Sequence, residues 1–590
     1  MSNKDIARIF RNVAAAYTIR DEKKFRFQII AYQKAADAIM QLTTEAFALY
    51  KDGKLDTIPG VGPTIKTHLI ELFTTGKVKH FTDVTKEVSE AVFPLLEVPG
   101  FGPKKAYRLV TEFKLKNSKT VLSDLENLAK KGKIAPLVGF GEKSQADILR
   151  FLGEYKDKKG KLTRVVLPYA FDAAEKILTY LKKLPTVTEA VALGSLRRMK
   201  STIGDIDIAV ASNKPHEAIS YFTSYPLKER IIEKGDISAS ILLIGGMQVD
   251  LMVQPKSAFG SLLQHFTGSK NHNIKLREHA LKLGMSLSEK GIKQQMVNGK
   301  WQMVNYDTEE KLYKALGMTW IPPEMREDTG EVELAIKNKL PKLVTLSDIK
   351  GDLHIHSNYP IEPSHDLGNN TMEAMLKKAE NLGYEYLGFS EHNPSVSMHT
   401  KNAIYSILAR RKDKIEQLKS SNKNIRVINL LETDILANGD LPIDDKCFEY
   451  LDATLVSIHS VLSTNKEDMT KRVLAGLSHP KAKILSHPTG RLLNQRPGYE
   501  LDWEKIFDFC LKHHKALEIN ASPLRLDLPD TLVKDAIQKG VKLVIDTDSH
   551  DAQHMDMMQY GVSVARRGWA KKSDILTTLS YNEFVTWLKS

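Results

Sequence analysis

The hydrophobic rhythm of the chain changes three times. Over residues 1–50 apolar positions recur at helical spacing, as in FQIIAYQKAADAIMQL, and predict helices. Two related units follow, LDTIPGVGPTIKTHLIEL and LLEVPGFGPKKAYRLV, with Pro-Gly-x-Gly-Pro cores starting at Pro59 and Pro99. Each is flanked by apolar residues at helical spacing, as at Ile65, Leu69 and Leu72. A third, weaker copy stands at Val138-Gly139-Phe140-Gly141. The lysine-rich run YKDKKGK, from Tyr155 to Lys161, marks a solvated boundary. From there to about 320 helices and strands mix, and AVALGSL, GDIDIAV, ASILLIG and MQVDLMV read as strands. Residues 324–347 read as a linker. From 348 to about 570 short apolar strands alternate with helices, the pattern of βα units in a parallel sheet or barrel.

Composition narrows the class. At roughly 100–200 residues per domain, 590 residues predict several domains. No stretch approaches the ~18 consecutive apolar residues that cross a bilayer. The opening MSNKDIARIFRNV lacks the uncharged core of a secretory signal, so a cytoplasmic protein is expected. Two cysteines, Cys447 and Cys510, exclude a disulfide framework or a Cys-rich zinc site. The net charge of +13 supports a nucleic-acid partner once motifs point the same way.

The glycine-rich units supply such motifs. Gly60, Gly62, Gly100 and Gly102 permit tight turns and close backbone approach, and the following proline suits a first helical turn. The amides of such a turn cradle an anion, and a DNA phosphate fits without any base being read. One copy alone fits an ordinary helix corner equally well. Two at matched spacing in a basic chain predict helix-hairpin-helix DNA-backbone clamps.

GDIDIAV carries the first candidate chemistry. Asp205 and Asp207, two apart on a strand, share one face while Ile206 and Ile208 take the other. A second strand offers Asp250. Three carboxylates suit Mg²⁺, and two such ions stabilise an attacking 3′-hydroxyl and a leaving pyrophosphate. The Asp205/Asp207 pair alone also fits a solvated strand edge. Context favours chemistry: Gly194-Ser195-Leu196-Arg197-Arg198, a hydroxyl and two guanidiniums before the acidic strand, suits a triphosphate tail. Phe266-Thr267-Gly268-Ser269 follows, then Asn273 and Arg277 on a predicted helix.

GSLRRMKSTIGDID, VDLMV and FTGSKNHNIKLREHAL together resemble the palm and thumb of family X DNA polymerases, and the PGVGP and PGFGP hairpins match that family's N-terminal and fingers regions. The resemblance covers about residues 1–320. It implies that Asp205, Asp207 and Asp250 hold two Mg²⁺, with Mn²⁺ able to substitute. It implies that Gly194, Ser195, Arg198 and Gly204 bind the dNTP triphosphate. It further implies that Phe266 and Gly268 line the sugar pocket, that Asn273 and Arg277 follow the minor-groove edge, and that Tyr32 seats a 5′-phosphate. Two departures stand out. His68 occupies the position of the family's lyase lysine, with Lys66 on another face, which argues against a Schiff-base lyase. His265 precedes Phe266 where eukaryotic relatives have tyrosine, so sugar discrimination is expected to differ.

Twelve of the 18 histidines lie after residue 348. They gather with acids at the ends of apolar runs: GDLHIHS, YLGFSEH, VINLLETD, ATLVSIHS, KILSHP and KLVIDTDSH. This picks out His354, His356, His392, Glu432, His459, His487, Asp548 and His550, and KALEINA adds Glu518 and Asn520. In a βα barrel such strand ends form one rim. Imidazole with carboxylate suits Zn²⁺, Mn²⁺ or Fe, and clustered ions activate a water against phosphorus. The HxH opening, HPTGRLL and the DTDSH close resemble the PHP (polymerase and histidinol phosphatase) domain over about 348–570. The resemblance implies a distorted seven-stranded barrel with three ions. Relatives place an acid soon after HxH, so Asp366 fits as a ligand only across an insertion. Arg491 and Arg525 are candidate substrate-phosphate contacts.

The expected architecture is multidomain α+β and α/β: an N-terminal helix-hairpin-helix domain (1–85), fingers (86–155), a nucleotidyltransferase palm (156–255), a thumb (256–323), a linker (324–347) and a distorted (β/α)7 PHP barrel (348–575). The expected activity is short-gap DNA repair synthesis, and the resemblance implies metal-dependent 3′→5′ exonuclease action, sometimes with abasic-endonuclease or 3′-phosphatase activity. The expected partners are dNTPs and gapped or primer-template DNA with a 5′-phosphate, bound by a monomer associated with the nucleoid. The residues leave three rivals: a nuclease whose first half only delivers DNA, a non-catalytic repair scaffold, and a nucleotidyltransferase acting on RNA or small molecules.

Overall fold

The computed structural model describes residues 1–590 apart from 43–44, 59–60, 99, 159–163 and 296–299, so Pro59, Gly60 and Pro99 lie outside the described residues. The chain forms two compact units. Met1–Arg164, Pro226–Ile232 and Ile241–Gln248 make one, and Val165–Tyr225, Glu233–Ser240 and Val249–Ser590 make the other.

Up to residue 158 the described chain is helical. Ser2 and Asp5 cap the first helix, Asn3–Asp21, reciprocally, which satisfies two of its free amides. The two hairpins share one backbone pattern. The Val61 amide donates to the Ile58 carbonyl at 3.1 Å, and the Phe101 amide to the Val98 carbonyl at 3.3 Å. Gly62 and Gly102 are extended cap residues, and Pro63 and Pro103 open the helices Pro63–Thr75 and Pro103–Glu112, where a missing N–H costs no bond. Ile65, Leu69 and Leu72 are buried, as their spacing predicts. The third copy repeats the pattern: Phe140 donates to Leu137 at 2.9 Å, and Gln145 to Gly141 at 3.0 Å, within the start of the helix Glu142–Lys158. Gly100 must be glycine, because its φ is +83° and a Cβ would lie 2.4 Å from the Phe151 ring.

A five-stranded sheet runs in the order Glu189–Ala192, Asp205–Ala211, Gln248–Gln254, Ser238–Leu243, Lys228–Lys234. The predicted strand AVALGSL stops at Ala192, and Gly194–Arg197 forms a helical turn. Further along, the helices Phe259–Thr267 and Lys270–Lys282 precede a three-stranded sheet and the helix Glu309–Ala315. The expected linker is folded instead. Met325, Val332, Ala335 and Leu343 share a core with Leu276, Ile292 and Tyr313. Arg326, fully buried, pairs with Glu309 at 2.6 Å, and Glu309 also takes both amino groups of Arg197. Burying that arginine requires its carboxylate, which ties the segment down.

The C-terminal strands are parallel but do not close one barrel. Gly351–Ile355, Tyr386–Phe389 and Arg426–Asn429 form one sheet; Glu432–Asp434, Thr454–Ser457, Ala482–Leu485, Ala516–Asn520 and Lys542–Asp546 form another. Isolated bridges at His392–Glu432 and Ile355–Ser549 span the gaps. At one of these gaps carboxylates take over part of the ladder: Leu353 N–H donates to Asp546 at 2.8 Å and Thr547 N–H to Asp352 at 3.1 Å. The domain also runs past the expected limit at 575. The helix Tyr581–Lys589 packs Phe584 against Tyr386 and the sheet core.

Candidate active sites

Three carboxylates converge at the first site. Asp205 and Asp207 are half-buried on one face of their strand while Ile206 and Ile208 are fully buried on the other. Asp250 lies on the adjoining strand. Burial and then the charges of Asp205 and Asp250 push the Asp207 carboxyl up to about 7, against the pull of Arg198. Such crowding of acid fits a divalent cation, which would offset the repulsion.

Local backbone brings several of the other candidates to this cluster, whereas Asn273 and Arg277 make their bonds to Gln264 and His265. Gly194 has φ +60°, and a Cβ there would lie 2.1 Å from Asp207 Oδ2, so only glycine lets the turn lie on the carboxylate. Ser195 is in that turn, and Gly204 immediately precedes Asp205. The Arg198 guanidinium donates to the Thr267 carbonyl at 2.5 Å and to Glu327 at 3.1 Å. Gly268, at φ +66°, passes beside it; a Cβ would lie 3.1 Å from Arg198 Nη1. Phe266 packs with Leu193, Ala209 and Phe259. Asn273 donates to the His265 carbonyl at 2.6 Å and accepts from Gln264 at 2.8 Å, and Arg277 reaches the His265 ring at 3.3 Å. Arg197 departs from the reading of two guanidiniums for a triphosphate: Glu309 and the Thr267 hydroxyl hold it. Glu327 was missed, because only the tertiary structure brings it to Arg198.

In the first unit the buried Tyr32 hydroxyl meets His68 Nδ1 at 3.0 Å, and Lys66 pairs with Asp56 at 2.6 Å. Gly62 and Gly102 are exposed, with open space where a Cβ would stand.

The second site is built around Glu432. Its carboxylate lies 3.1 Å from His354, 3.4 Å from His356, 3.0 Å from His392, 3.4 Å from His459 and 2.9 Å from His487. Asp548 approaches His354 and His356 at 3.5 and 3.4 Å. Asp366 reaches His392 at 3.4 Å and His550 at 3.7 Å, so the long loop after His356 does deliver it to the rim. Four overlapping donor groups result among the described residues: His354, His356 and Glu432; His356, His392 and His550; Glu432, His459 and His487; and His365, His392 and His459.

Buried nitrogens of His354, His356, His392, His487 and His550 have no hydrogen-bond partner. Buried polar atoms are ordinarily satisfied, so orphaned imidazole nitrogens facing carboxylates fit bound metal ions. Ligation needs neutral imidazole. Burial, with His550 and Arg525 as the respective neighbouring cations, pushes His356 and His487 down to about 3. Burial would raise Glu432, but His392, His354 and His459 hold it well below the usual carboxylate range. Outer partners orient the rings: Glu518 holds His354 at 2.6 Å, and Asp434 holds His459 at 2.7 Å. Asn520 bridges Glu518 and Asp548 at 3.1 Å to each.

Two residues here escaped the sequence reading. His365 bonds Asp434 at 3.1 Å and groups with His392 and His459. Of the two arginines, Arg525 stands 3.6 Å from Asp548, but Arg491 is spent on the Arg525 and Leu526 carbonyls, where it pins the turn. His487 and Asp548 take positive φ, +29° and +54°, a strained conformation that the surrounding packing must impose.

Known proteins resemble the chain in parts and along its whole length. The helix-hairpin-helix family matches residues 1–78, and the DNA polymerase beta thumb family matches 262–327. DNA polymerase lambda of Rattus norvegicus is 24% identical over 348 residues, 53% of this chain and 54% of that protein. A probable phosphatase of Clostridium acetobutylicum is 29% identical over 208 residues, 34% of this chain and 78% of that protein. The DNA polymerase/3′-5′ exonuclease PolX of Bacillus subtilis is 32% identical over 592 residues, spanning 100% of both chains. With that likeness along its whole length, the chain belongs to the PolX family of family X DNA polymerases.

Proposed function

We propose that this protein fills short gaps in DNA during repair and trims 3′ ends at a second, separate centre. The observation that carries the reading is the presence of two donor sets on one chain: three acids beside Arg198, and a cluster of nine His, Asp and Glu side chains with Glu432 at its centre. The PolX likeness supports both activities, and the probable phosphatase supports phosphoester hydrolysis.

In this reading Asp205, Asp207 and Asp250 hold two Mg²⁺, or Mn²⁺ in their place. His354, His356, Asp366, His392, Glu432, His459, His487, Asp548 and His550 hold three ions, Mn²⁺, Zn²⁺ or Fe. Such ions, when bound, stabilise charge on phosphoryl oxygens and acidify water. The protein's part is placement. Arg198 and Ser195 take the triphosphate, with Gly194 and Gly204 giving it room. Phe266 and Gly268 wall the sugar. Asn273 and Arg277 exchange their bonds to His265 for the edge of the nascent pair. Tyr32 and the hairpin amides around Gly60, Gly62, Gly100 and Gly102 hold the 5′-phosphate and backbone without reading sequence. Arg525, next to Asp548, is left to meet the scissile phosphate.

The test is a one-nucleotide gap with a 5′-phosphate, in Mg²⁺ and then Mn²⁺. Templated addition of one dNMP with dNTPs present, and release of dNMP from the 3′ end without them, is expected. Primer degradation with no extension under either metal would replace the polymerase by a DNA-delivered nuclease. Gapped-DNA binding with no chemistry would leave a repair scaffold.

A further inference from the structure

The Arg198 side chain is not set by the first catalytic centre alone. Its Nε donates to Glu327 at 3.1 Å, and the same carboxylate oxygen takes Arg567 Nη1 at 3.1 Å and Lys200 at 3.5 Å. Arg567 Nη1 also donates to the Arg198 carbonyl at 2.6 Å, and Nη2 pairs with Asp530 at 2.5 Å. Arg567 is therefore in contact with both the backbone of Arg198 and the anion that orients its guanidinium. Its side chain is only 3% exposed, so these contacts are shielded from solvent and little screened.

Arg567 belongs to the C-terminal half. It ends the helix Met558–Arg567, which seats Gly561 directly on Ile545 and Ala521 beside the second centre. A Cβ at Gly561 would lie 2.6 Å from Ile545 and 2.9 Å from Ala521, so the helix sits as close as backbone allows. The arginine thus reaches the first centre from a rigid support.

Electrostatics gives the contact a purpose. A glutamate beside Arg198 fixes the plane of the guanidinium but also competes with an incoming triphosphate for its charge. Burial would raise the Glu327 carboxyl, yet Arg198, Arg567 and Lys200 hold it below the usual carboxylate range. With Arg567 and Lys200 balancing Glu327, Arg198 keeps its orientation and leaves net positive charge for a polyanion.

We propose that Arg567 is a positioning residue for nucleotide incorporation: by pinning Glu327 and the Arg198 carbonyl, it presents Arg198 to the dNTP, so that the C-terminal half forms part of the polymerase nucleotide site. This rests on the assignment of Arg198 to the triphosphate.

The experiment is steady-state gap filling by the full-length protein, with KM for dNTP and kcat resolved separately. Arg567→Ala is expected to raise KM ~10-fold while kcat changes less than ~3-fold, the split of lost ground-state and transition-state binding in equal measure. Arg567→Lys, which keeps the charge but not the fork, recovers part of the loss. Arg566→Ala is the junction control. It removes the neighbouring contacts to Glu324 (2.7 Å) and the Val344 carbonyl (3.0 Å) without touching Arg198, and KM should stay at the wild-type value. A KM within twofold of wild type in Arg567→Ala, or an equal rise in Arg566→Ala, overturns the proposal. Should Arg567→Ala fail to fold, Arg567→Gln, which keeps much of the side chain's length and removes its charge, takes its place with the same expected rise; an unchanged KM there overturns the proposal too. Arg198→Ala separates the two claims. If it leaves KM unchanged, the triphosphate assignment itself fails; if it raises KM and Arg567→Ala does not, only the positioning role fails.

Discussion

Gly194→Ala converts the tightest contact of the first site into a measurable loss. Gly194 lies at φ +60°, and the added Cβ would fall 2.1 Å from Asp207 Oδ2. The left-handed backbone alone costs an L-residue ~1–2 kcal/mol. Real Cβ atoms essentially never come within 3.0 Å of another heavy atom, so either the turn or the carboxylate must yield by nearly 1 Å. Movement of a reacting group on that scale costs about 10²-fold in rate, or ~2.7 kcal/mol of barrier. Single-turnover incorporation on gapped DNA at saturating dNTP should therefore fall ~100-fold, while denaturant unfolding shows only the ~1–2 kcal/mol backbone cost. Degradation of a 3′ end at the second centre serves as the internal control and should persist. Incorporation within a few-fold of wild type would refute the inference that Gly194 admits Asp207 to its working position.

Glu432→Gln should empty the second centre, because one carboxylate faces five imidazoles; metal content and 3′ degradation fall together while extension persists, and unchanged metal content would contradict its central place. Glu309→Gln leaves Arg326 buried without its anion and should destabilise the fold by ~3–5 kcal/mol. Burial would raise Glu309, but Arg326 and Arg197 bring it down to about 2, below its unfolded value. That stability is full above the unfolded pKa and is lost as pH falls toward 2, so Glu309→Gln should flatten this part of the pH–stability curve; parallel curves would count against the network. Gly100→Ala drives a Cβ into the Phe151 ring at 2.4 Å and should weaken gapped-DNA affinity as read by fluorescence anisotropy, whereas an unaltered Kd would remove the second hairpin from the interface.

Much of both sites was legible because chemistry coincided with periodicity. Asp205 and Asp207 break a strand pattern that Ile206 and Ile208 otherwise complete, and the acids fall on one face. The histidines stand at the ends of apolar runs, which a parallel sheet gathers on one edge. What stayed hidden lacked such a coincidence. The strand Lys228–Lys234 is solvated along its length, so no apolar alternation announces it. Arg197 looks equivalent to Arg198, but its partner Glu309 is 112 residues away and decides its orientation. The segment 324–347 has the polarity of a linker, yet two of its charges are buried in pairs: Arg326 with Glu309, and Glu331 with His272 at 2.7 Å. His365 sits in a loop whose path depends on tertiary contacts, and no spacing could link it to Asp434. At one barrel seam Asp352 and Asp546 accept backbone amides in place of ladder carbonyls, a pairing that no spacing in the sequence announces.

If the two centres work independently on one chain, a reciprocal pair of variants separates them. Asp207→Asn and His356→Ala would be compared with wild type on a 5′-phosphorylated one-nucleotide gap, with dNTPs and without. Asp207→Asn should lose extension and keep 3′ degradation, and His356→Ala should do the reverse. Loss of both activities in either variant, or retained extension in Asp207→Asn, would contradict that independence.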